Sequence, residues 1–111
     1  MADIRQARDS LVARVLTGPG VASRAERRAA FDDTGLEAQL GTLVGKVTRH
    51  ASRVTDDDVT QARAAGYSED QLFEVVVCAS IGAASRQYES ALAALDAVST
   101  GEELHAARDP R

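Results

Sequence analysis

Apolar residues along this chain recur three and four positions apart, the spacing that lines one face of an α-helix. Runs that alternate apolar and polar, as a half-buried strand would, are nearly absent. Ile4, Leu11, Val12 and Val15 mark a first helix over Asp3 to Leu16. Gly18-Pro19-Gly20 ends it, because glycine is too free and proline lacks the donor to continue. Ser23-Arg24-Ala25-Glu26 is a capping-box pattern that opens a short helix through Phe31. A third helix is predicted from Leu36 to Arg53, with Leu36, Leu40, Leu43, Val44 and Val47 along one face. Gly41 and Gly45 lie one turn apart on it and point to a close backbone approach there. Thr55, with Asp58 completing a second capping box, opens a fourth helix to Ala65, and Gly66 is its left-handed stop.

Ser68-Glu69-Asp70-Gln71 then caps the longest helix, predicted to run to Ala97. Its first half, Leu72 to Ile81, is apolar nearly all round apart from Glu74 and Ser80. Such a helix is central to the fold or lies at a subunit interface. Five helices joined by capped turns predict an all-α small helical bundle. It occupies residues 1–98 as a single domain, with 99–111 as a flexible C-terminal tail rich in charge.

At 111 residues the chain has room for one domain, and 44% hydrophobic residues give it enough apolar surface to offset chain entropy. Aromatics at 4%, without tryptophan, leave no stacking platform for single-stranded nucleic acid. A formal net charge of -4 has the wrong sign for phosphate-backbone binding. No apolar run reaches the roughly 20 residues of a membrane span, and Met1 to Arg5 lacks the apolar core of a secretory signal. These features predict a soluble, cytoplasmic protein that binds neither nucleic acid nor membrane. The lone Cys78 excludes an intramolecular disulfide and any CxxC centre. Charge is uneven: Arg5, Arg8, Arg14, Arg24, Arg27 and Arg28 outnumber Asp3, Asp9 and Glu26, whereas the rest of the chain is acidic. That asymmetry favours assembly, with basic helices over the acidic part of a neighbouring chain.

Gly66-Tyr67-Ser68-Glu69-Asp70-Gln71-Leu72-Phe73-Glu74, followed by an apolar helix that closes on Tyr88-Glu89-Ser90-Ala91-Leu92, resembles a known pattern. It is similar to the C-terminal half of the carboxymuconolactone decarboxylase / alkylhydroperoxidase D-like (AhpD-like) superfamily, over residues 36–95. The departures lie at the chemistry. Where alkylhydroperoxidase-type members carry CxxC and a histidine, this chain has Ala51, Val54 and Asp58, and Gln39 stands in the register of their upstream glutamate. Where decarboxylase-type members carry Gly-x-Pro, it reads Ala84-Ser85-Arg86. The resemblance therefore implies a helical fold that associates into dimers, trimers or hexamers with sites near subunit contacts, but not the peroxidase centre.

Candidate chemistry rests on six residues. Cys78 is a potential nucleophile, or a small apolar residue of the core. Glu74, one turn earlier, is placed for general acid–base work, or is a first-turn glutamate favoured by the helix dipole. The resemblance also places a glutamate there. Lys46, His50 and Arg53 fall on one side of the third helix as a cationic rim for a carboxylate or phosphate, with His50 as acid or base, or as a solvated face. Tyr88 offers a hydroxyl from the small-residue half of the long helix, or simply packs its ring. No metal is expected: His50 and His105 share no ligand spacing, and Asp56-Asp57-Asp58 lacks the remaining ligands of a calcium loop. No cofactor is expected either.

Two functions follow. One is a non-redox oligomeric scaffold or accessory subunit that binds itself and a partner protein. The other is a cofactor-independent acid–base enzyme acting on a carbonyl, lactone or enol compound with Glu74 and His50, or a binding protein for a small carboxylate or carbonyl compound. Its pocket would lie between the third helix and the long helix, bringing Glu74 and Tyr88 near His50.

Overall fold

A computed structural model describes the backbone of residues 2–108 and the side chains of residues 3–100. Its elements are α1 (Ala2–Thr17), α2 (Arg24–Asp32), α3 (Ala38–Arg49), a 3-10 turn (Ala51–Arg53), α4 (Asp56–Ala64) and α5 (Glu69–Arg108). The all-α bundle is as expected, with no strand among the described residues.

The caps account for the helix starts. Ser23 Oγ accepts from the Glu26 amide at 3.1 Å, opening α2. Glu26 does not close the expected box; its carboxylate accepts from the Gln71 side chain at 2.7 Å and ties α2 to the start of α5. Thr55 and Asp58 do form a reciprocal capping box on α4. Ser68 and Gln71 do the same for α5, with bonds of 3.1 and 3.3 Å. Gly66 takes φ 108°, a left-handed turn that a Cβ would oppose. Asp33 is also left-handed, at φ 54°, and its carboxylate accepts from Arg49 across the α2–α3 turn. Tyr67 donates to Glu37 at 2.8 Å, pinning the α4–α5 turn to the head of α3; that bond pushes the phenol up to about 12.

Two boundaries differ from the sequence reading. The third helix ends at Arg49, where His50 adopts φ -147° and ψ 58° and breaks the helical register before the 3-10 turn. The long helix continues past Ala97 to Arg108, so most of the stretch expected as a tail is helical backbone. Residues 109–111 of that tail lie outside the described residues.

The core forms around the first half of α5. Leu72, Val75, Cys78 and Ala79 meet Leu40, Leu43 and Val44 of α3, Ala30 of α2, Ala62 of α4 and Ala22 of the α1–α2 loop. Phe73, on the other side of α5, is exposed. The close approach falls at Gly82, not at Gly41 or Gly45. A Cβ on Gly82 would press into the Phe31 backbone, 2.8 Å from its carbonyl carbon. At Gly41 it would sit in ordinary contact, and at Gly45 it would meet only the flexible end of Arg49.

Candidate functional site

The residues singled out from sequence occupy three separate places. At the first, Glu74 reaches from α5 to the α1–α2 loop. Its carboxylate accepts from the Val21 amide at 2.8 and 2.9 Å and from the Ala22 amide at 2.7 Å. Gly20 makes room for this, since a Cβ there would collide with the carboxylate. Glu74 is thus a clamp on a Pro-Gly loop, and both of its oxygens are engaged. Cys78, one turn further along, is 1% exposed, and its thiol donates to the Val15 carbonyl at 3.3 Å. Burial raises the thiol's pKa, Arg27 pulls it the other way, and Glu74 pushes it up again. The balance keeps a protonated thiol, which is a poor nucleophile.

Arg27 completes this place, although the sequence marks it only as one of the basic residues of the first third. It is 5% exposed, and its Nη1 donates to the carbonyls of Gly18 at 2.8 Å and Val15 at 3.3 Å, capping the end of α1. Its Nε is buried with no partner. A signal for it exists in the sequence: Arg27 shares a helix face with Ala30 and Phe31, the face that α2 turns to the core. Arg14, Arg27, Phe73, Glu74, Val77 and Cys78 border a cavity of about 120 Å³.

The second place is the α3–α4 corner. Lys46 donates to Asp58 at 2.8 Å, so its charge is committed within the fold. That bond, foremost, and the Thr55 amide hold the Asp58 carboxyl below its ordinary 3.8. His50, exposed, closes α3, and the break there takes Arg53 off the face it was expected to share with Lys46. The cationic rim is therefore not assembled as a unit. Asp58 and Gln39 border one cavity of about 160 Å³ between α3 and α4.

The third place holds Tyr88, far along α5. Its ring lies under the Arg8 guanidinium, 5.3 Å from the ring centre, and Arg8 pairs with Glu89 at 3.2 Å. The Tyr88 hydroxyl is buried without a partner. Ile4, Leu11, Ile81, Ala84 and Tyr88 line an apolar groove of about 350 Å³ between α1 and α5. Glu74 and Tyr88 line different cavities, and His50 borders neither, so the three are not brought together as expected.

Among the described residues there is no cluster of three metal-ligating side chains, and no helix is long and apolar enough to cross a membrane. No family model, no curated protein and no solved structure matches the chain.

Proposed function

We propose that the chain is a divergent carboxymuconolactone decarboxylase-like helical protein without a peroxidase centre, acting as a non-redox oligomeric scaffold or accessory subunit. The observation that carries this reading is the apolar strip along α1 and the second half of α5. Ile81, Tyr88 and Leu95 recur at sevens, as do Ala84, Ala91 and Val98. Seven-residue spacing keeps both rows on one face, the arrangement by which helices pair. Ile4, Leu11, Leu95 and Val98 are each about half exposed or more on this strip, at 55%, 46%, 64% and 57%.

The occupant we assign is a second copy of the chain. Arg8 and Glu89 satisfy each other within the chain, so what the strip leaves exposed is apolar, which suits a two-fold contact in which the same face meets itself. The basic first third set against an acidic remainder supports the same pairing. The resemblance over residues 36–95 adds an expectation of assembly. Glu74 and His50 do not favour an acid–base centre, because one is committed to loop amides and the other caps a different helix.

Sedimentation velocity across a concentration series tests the reading. The expected result is a homo-oligomer that Leu95→Glu with Leu11→Glu converts to a monomer of unchanged helicity. Loss of buried apolar anchors at an interface costs more than ~2 kcal/mol. A wild-type chain that stays monomeric throughout overturns it.

A further inference from the structure

We infer that the cavity beneath the α1–α2 loop is a binding site for a small monocarboxylate, held by Arg27 and Arg14. The starting point is a charge without a counter-charge. Arg27 is 5% exposed, yet among the described residues no carboxylate comes within salt-bridge distance of its guanidinium. Buried charges are ordinarily paired, because an ion taken out of water loses its hydration. Two α1 carbonyls and the negative end of the α1 dipole offset part of this charge. Glu74 borders the same cavity, but its oxygens are taken by the Val21 and Ala22 amides. The Arg27 Nε–H remains buried without an acceptor.

The cavity itself defines the ligand. Arg14 on α1 borders the same cavity, and guanidinium donors suit the planar two-oxygen geometry of a carboxylate. Phe73 and Val77 provide apolar wall for a short hydrocarbon body. The cavity, of about 120 Å³, has room for the head and short body of a small acid. This cavity shares no lining residue with the α1–α5 groove.

Sodium propionate is the probe, titrated into the wild-type protein at ionic strength held constant with sodium chloride. The readout is the arginine Nε–H region of a ¹⁵N-correlation spectrum, with the Arg27 signal assigned by its absence in Arg27→Lys. The expected result is a saturable shift of the Arg27 Nε–H signal, absent with chloride alone, and about tenfold weaker binding in Arg14→Ala. Three results overturn the proposal: an Arg27 signal that does not move, a shift that chloride reproduces, or an Arg14→Ala protein that binds propionate as tightly as wild type.

Discussion

Glu74 shows how a single side chain can be placed correctly by pattern and still be misread in role. Its position on a helix rich in valine, one turn from Cys78, suggests a carboxyl group tuned for proton transfer. The fold instead spends its acceptors on the Val21 and Ala22 amides, two donors that the Gly18-Pro19-Gly20 turn leaves without helical partners. Glu74→Ala is therefore expected to lower unfolding stability by about 2 kcal/mol, read from urea denaturation, because it strands two amides as well as removing charge-assisted bonds. Gly82→Ala is expected to cost a similar amount or more, about 3 kcal/mol in the same measurement, since α2 cannot retreat from α5 without opening the core. Neither the clamp nor the tight spot was legible from its own residue. Glycines at helical spacing drew attention to Gly41 and Gly45, but the partner that crowds a glycine comes from another element.

At the scale of elements, capping chemistry was the most legible feature. Thr55 with Asp58, and Ser68 with Gln71, cap the helices they precede, because a hydroxyl and an acceptor three residues on satisfy orphan amides locally. Asp58 carries a second duty invisible in that local pattern, the bond to Lys46 that joins α4 to α3. A carboxyl held below its ordinary value contributes stability that is complete above the unfolded pKa and is lost as pH falls through the folded one. The stability difference between wild type and Asp58→Asn is thus expected to be largest near neutrality and to shrink as pH drops below about 4, measured by urea unfolding at each pH. The helix ends were less legible. Nothing in Lys46 to Arg53 announces the break at His50, which follows from the chain turning to deliver α4 alongside α3.

For the whole molecule, the governing fact is that α5 is longer than anything packed on it. Forty residues of helix span about 60 Å, while α2, α3 and α4 gather around its first half. α1 runs back along it, from Val15 beside Cys78 to Arg8 beside Glu89, and beyond that the apolar row of Leu95 and Val98 stands exposed. This exposed row is where the sedimentation test of the proposed self-association belongs. The basic first third also finds its explanation at this scale in part: Arg27 turns inward to cap α1, and Arg8 lies on Tyr88.

The sequence by itself determined that the protein is all-α, how many helices it has and where most of them start. Those depend on apolar periodicity and on caps, interactions that span no more than four residues. The tertiary structure alone decided which side chains meet. It sent Glu74 to a loop more than fifty positions earlier, buried Arg27 beneath that loop, and set Phe31 against Gly82. Such pairings are fixed by the crossing of helices and not by spacing along any one of them, so no local pattern carries them.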